Sequence, residues 1–153
     1  QRSAAVQQLC GIALSLDNFT AADIQRLVVA VAARLRDSSS TVVYNATNCL
    51  AAWTKGIHLD PDHWFNVVVP SSIAHLGDNK GAVREASLQL LSAIGRTAPR
   101  ALCNVLVSLA EAGFAHQEWR VRLQSVLAVQ SLVLRGDVPG MEWRVVVEGV
   151  ARR

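Results

Sequence analysis

The chain has 153 residues with a net charge of +3, and it is 51% hydrophobic but only 5% aromatic. That length suits one domain with a sizeable core, and Ala, Val and Leu must do most of the packing, as they do between closely stacked helices. The mild basic bias fits an acidic partner but falls far short of a nucleic-acid tail, and no apolar run approaches the ~18–20 residues of a membrane span.

Gln1-Arg2-Ser3 leads straight into an amphipathic pattern with no leader peptide, as though the chain were excised from a longer one. Over residues 3–16, Val6, Leu9, Ile12, Ala13 and Leu16 fall on one helical face, and residues 17–20 break the pattern. A second helix is predicted over 21–36, with Thr20 as N-cap, Asp23 near the positive end of the dipole, and Ile24, Leu27, Val28, Val31 and Leu35 as its apolar face. Residues 38–41, Ser-Ser-Ser-Thr, form a turn of cap-forming residues. The next helix spans 42–55, with Val43, Ala46, Leu50 and Trp53 inward and Gly56 as its stop. A helix over 62–76 carries an internal Pro70, which removes one backbone hydrogen bond and predicts a kink. The turn 77–81 leads to a helix over 82–94. A further pair then covers 99–112 and 119–134 across the turn 113–118. After the breaker at 136–140, residues 141–152 begin another helix.

This order contains a repeat. Asp37, Val43, Ala46 and Leu50 recur 40 or 41 residues later as Asp78, Val83, Ala86 and Leu90, and Val121 takes the same place once more. A polar turn followed by a helix with this apolar spacing, repeated at that interval, marks a helical-repeat array. The expected fold is therefore all-α, a HEAT-repeat α-solenoid of about four two-helix repeats in a single domain over 1–153, truncated at both ends. In such an array the turns inside each pair line up along one edge and present what they carry as a row. Here the row is 38–41, then Asn79-Lys80-Gly81, then Glu118-Trp119-Arg120, with Arg84 and Arg122 close to the same edge.

Trp119 stands at a turn-to-helix junction beside Arg120 rather than within an apolar stripe. It is either an aromatic binding anchor or a cover over the adjacent repeat. Lys80 is either a partner contact or an ordinary solvated lysine. Trp53 and Trp64 lie in apolar stripes and read as core. Cys10, Cys49 and Cys103 are far apart at non-motif spacings and read as small buried hydrophobes in a reducing compartment. His58, His63, His75 and His116 share no metal-ligand spacing, Asp60 and Asp62 flank Pro61 as a helix-start turn, and no phosphate loop follows a strand. The chain therefore reads as no enzyme, with no cofactor and no metal.

The stretch 37–94 resembles the TOG domains of the microtubule polymerase family and, more loosely, those of CLASP and crescerin. The resemblance rests on Cys49-Leu50-Ala51, Lys55-Gly56, Val68-Val69-Pro70, and the Asp78-x-Lys80 turn leading to Val83-Arg84-Glu85-Ala86. It implies a flat paddle of HEAT repeats that binds the tubulin heterodimer or the microtubule lattice along the turn edge. It also implies a cytoplasmic, cytoskeletal location. By position it implies Ser40, Thr41 and Val42 as binding residues in one turn, Lys80 in the next, and Trp119 and Arg120 in the third, while Arg84 and Arg122 join the candidate set because they lie close to the same edge. Two other readings stand beside it. One is a HEAT scaffold for a different protein; the other is a nucleic-acid binder, for which Tyr44, Asn45, Asn48, Gln89 and Gln124 make the second helices too neutral.

Overall fold

The computed structural model describes residues 2–12, 20–54 and 64–134. Every regular element in those stretches is helical. In chain order they are α1 (Arg2–Ile12), α2 (Ala21–Ala32), α3 (Ser40–Trp53), α4 (Val69–His75), α5 (Gly81–Gly95), α6 (Pro99–Ser108) and α7 (Trp119–Leu134).

Local chemistry sets where these helices begin. Thr20 caps α2 through a reciprocal box in which its hydroxyl accepts the Asp23 N–H at 3.2 Å and the Asp23 carboxylate accepts the Thr20 N–H at 3.3 Å. The last turn of α2 tightens into a 3-10 turn over Ala33–Arg36, delivering the chain to Asp37 in extended conformation. Pro70 acts upstream of where the sequence predicts its kink. A π-helical turn, Trp64–Val68, precedes Val69–His75, so the hydrogen-bond register resets just ahead of the proline that cannot donate. A second π turn, Leu109–Gly113, closes α6.

The helices form a layered stack in the manner of HEAT repeats. α1 packs on α3 and α3 on α5, while α2 lies against α3, and α4 and α6 against α5; α7 seats on α4 and on the π turn that ends α6. One core runs through the stack. Val43, Ala46, Leu50 and Trp53 are buried on α3, and Val83, Ala86 and Leu90 at the matching places of α5. Each fully buried leucine, such as Leu35, Leu76, Leu91 or Leu106, contributes about 1.5–3 kcal/mol against leaving it in water. Small residues let the layers close. A Cβ on Gly77 would stand 2.5 Å from Val121 Cγ2, and one on Gly113 would overlap the Ser125 side chain, so glycines at the ends of two helices admit the buried face of α7.

The opposite face of α7 carries Leu123, Val126 and Leu127, each between 44% and 51% exposed. Ala13, Leu16, Gly56, Asp60, Asp62 and the helix predicted at 141–152 lie outside the described residues, as do the side chains of Leu9, Cys10, Ile12 and Trp64. Cys49 is buried and Cys103 half-buried. No helix among the described residues is long and apolar enough to cross a membrane.

Candidate partner-binding edge

The three turns that enter α3, α5 and α7 are built to one design. In the first, the Asp37 carboxylate accepts the Ser39 N–H at 2.9 Å; in the second, Asp78 accepts the Lys80 N–H at 2.7 Å; in the third, His116 Nδ1 accepts the Glu118 N–H at 3.1 Å. A side-chain acceptor three residues before the helix thus folds each turn and fixes the helix entry. Ser39, Lys80 and Glu118 then supply the carbonyls that take the first helical N–H groups of their helices.

The arginines one turn into α5 and α7 belong to this design. Arg84 Nη1 donates to the carbonyls of Asp78 at 2.7 Å and Asn79 at 3.3 Å, and Arg122 Nη1 donates to those of His116 and Gln117, both at 2.8 Å. Each guanidinium clamps the carbonyls of its own turn. In each only Nη1 serves the turn, and Arg122 is exposed while Arg84 is half-buried.

Lys80 and Arg120 are used differently. Both are exposed, and among the described residues the Lys80 ammonium has no hydrogen bond or ion pair. Arg120 reaches across to the preceding turn, donating from Nη1 to Asn79 Oδ1 at 2.6 Å, and its guanidinium carbon lies 5.6 Å from the centre of the Trp119 ring. That is within cation–π range. Trp119 is 59% exposed, so it does not fold back as a cover over the neighbouring repeat.

Ser40 and Lys80 line one open cleft of about 360 Å³ with His75, Gly77, Asp78, Asn79 and Glu118. The cleft spans all three turns. Half-buried His75 ties two repeats together, with Nε2 2.6 Å from the Leu35 carbonyl and Nδ1 3.7 Å from the Asp78 carboxylate. Because a carbonyl only accepts, Nε2 carries the hydrogen in this pairing. Thr41 is exposed beside Ser40, but Val42 is 3% exposed and packs in the core. Val42 therefore offers no surface to a partner. Its place in the turn predicted presentation, but α3 begins at Ser40, which rotates residue 42 inward.

Sequence position put Asn79 in the row of turn residues and Asp37 and Asp78 at matching places of the repeat, but did not show Asn79 as the partner of Arg120, the two aspartates as acceptors within their turns, or any role at the edge for His75 and His116. Aligning the repeats exposes the acceptor position, since all three precede the helix by the same step. Nothing in spacing marks the Asn79–Arg120 bond, which joins residues 41 apart.

No protein-family model and no solved structure matches the chain. Among curated proteins, the chain is 29% identical over 136 residues to a CLIP-associated protein of Arabidopsis thaliana. The aligned region covers 87% of the chain but 9% of that relative. The chain thus spans only a small part of that relative's length. Among the described residues there is no group of three His, Cys, Asp or Glu placed to hold a metal ion.

Proposed function

We propose that the chain is a non-enzymatic, TOG-like module that binds tubulin through its turn edge and takes part in controlling microtubule dynamics. The observation that carries this reading is the edge itself: three turns of one design, with Lys80, Trp119 and Arg120 exposed along it and Ser40 lining the cleft between them. The distant likeness to a CLIP-associated protein supports it, since CLASP is among the families the sequence resembles. Tubulin's surface is acidic, so two solvent-facing cations would steer association while one large aromatic ring supplies apolar contact at low entropic cost.

The reading is tested by co-elution of the chain with unpolymerised tubulin on a sizing column at low and moderate salt. A shift of the tubulin peak that weakens as salt rises is the expected result, because exposed charges are screened beyond about 8–10 Å at physiological ionic strength. Tubulin eluting unchanged at both salt levels would sink it. A second reading, a scaffold for a different protein, draws on the exposed apolar face of α7 at Leu123, Val126 and Leu127.

A further inference from the structure

The arginines of the edge are each held at one nitrogen, Nη1, and differ in where it goes. Arg84 and Arg122 place it on two carbonyls of their own turns. Arg120 gives one nitrogen to Asn79 and lies over Trp119, and among the described residues it makes no other hydrogen bond or ion pair. An arginine held at one nitrogen and along one face keeps the rest of its planar fork for a ligand of matching geometry, and a carboxylate is that ligand. Beside it the exposed indole of Trp119 shields one side from water, which strengthens a charge-assisted bond.

We propose that Trp119 and Arg120 form a receptor for a single carboxylate side chain of an acidic protein partner, and that Asn79 is its positioning residue. This rests on the tubulin reading only for the identity of the partner. Asn79 belongs to the turn before α5 and Arg120 to the start of α7, so the receptor exists only when two successive repeats are stacked in register. Glycine at 77, against Val121, is what brings those repeats that close. An uncharged residue outside the row of cations thereby controls binding.

The test uses the whole chain labelled with 5-fluorotryptophan, the Trp119 resonance being assigned by its loss in Trp119→Phe, and a hexaglutamate peptide as probe at low salt. The wild-type Trp119 resonance should shift on titration. Asn79→Ala, which leaves the net charge unchanged, should weaken the response by roughly 3- to 10-fold, and Arg120→Lys, which keeps the charge and loses the fork, by about as much. Combining Asn79→Ala with Arg120→Ala should cost no more than Arg120→Ala alone, since the asparagine acts through the arginine. Thermal melting of Asn79→Ala is expected to match wild type, which separates positioning from folding. No shift of the wild-type Trp119 resonance, an Arg120→Lys variant that responds like wild type, or additive losses in the double variant would overturn the receptor. The same variants on tubulin separate the two claims: a receptor that takes hexaglutamate while the chain fails to shift tubulin leaves the receptor standing and removes the partner.

Discussion

At the scale of single residues, what distinguishes the cations of the edge is where their donors go. Four of them look alike in the sequence, each one turn into a helix or at its entry. In the fold, Arg84 and Arg122 put one nitrogen on carbonyls of their own turns, Arg120 puts one on Asn79 of the preceding turn, and the Lys80 ammonium bonds to none of the described residues. Residue type and spacing could not separate them, because the deciding quantity is the direction of a long side chain. Stability separates them in solution. Arg122→Ala and Arg84→Ala should each lower unfolding free energy by about 1–2 kcal/mol, since bonds from a charged donor to carbonyls are lost. Arg120→Ala, which gives up a single exposed bond to Asn79, should cost less, about 0.5 kcal/mol. Urea denaturation reads both, and an Arg120→Ala variant as damaged as Arg122→Ala would contradict the division. Buried Ser125 makes the reverse case. Its hydroxyl finds no partner among the described residues, so Ser125→Ala should raise the denaturation midpoint, by up to about 1 kcal/mol of stability.

At the scale of elements, the helices were legible because their signals are local. The valine, alanine and leucine spacing that defines the repeat marks the buried faces of α3 and α5, and Thr20 caps α2 where a threonine followed by Asp23 predicts it. Element starts were less legible. Beginning α3 two residues earlier than its apolar pattern suggests was enough to turn Val42 from an edge residue into a core one. The two π turns left no sequence signal beyond Pro70 and Gly113, since a register change costs little that composition records. The α2 cap also carries a titration. The Asp23 carboxyl is held below its ordinary range first by the Thr20 hydroxyl, then by the Thr20 N–H, with a smaller contribution from Arg26. A folded-state value below the unfolded one stabilises the helix above the unfolded carboxylate range, near pH 4, and that contribution fades as pH falls through the folded value. Asp23→Asn should therefore melt lower than wild type at neutral pH and lose less on acidification toward pH 3, as thermal melts followed by circular dichroism would record. Equal acid sensitivity in the two proteins would assign the loss to other carboxylates.

At the scale of the whole molecule, a stack of two-helix units creates two different kinds of surface from one chain. The edge is made of turns, is polar, and gathers residues far apart in sequence, as when Asn79 and Arg120 meet. The outer face of α7 is made of one helix and is apolar at Leu123, Val126 and Leu127. The tubulin reading assigns recognition to the edge, the scaffold reading to the face, and charge reversal on each tells them apart. Lys80→Glu with Arg120→Glu inverts the solvent-facing charge of the edge and touches no buried residue, so helicity should be unchanged while tubulin binding disappears at every salt concentration. Leu123→Lys with Leu127→Lys adds positive charge and removes apolar surface on the face. It should leave the tubulin shift intact, with thermal melting measured alongside to exclude a loss of fold. Charge also fixes the shape of the salt response. Wild-type affinity should fall as salt rises, whereas each edge cation neutralised singly, Lys80→Gln or Arg120→Gln, should weaken binding at low salt more than at high salt, because screening removes from wild type the attraction that the variant already lacks. A loss in both variants that is the same at all salt concentrations would mean that these two side chains act by contact alone, and that the edge steers nothing.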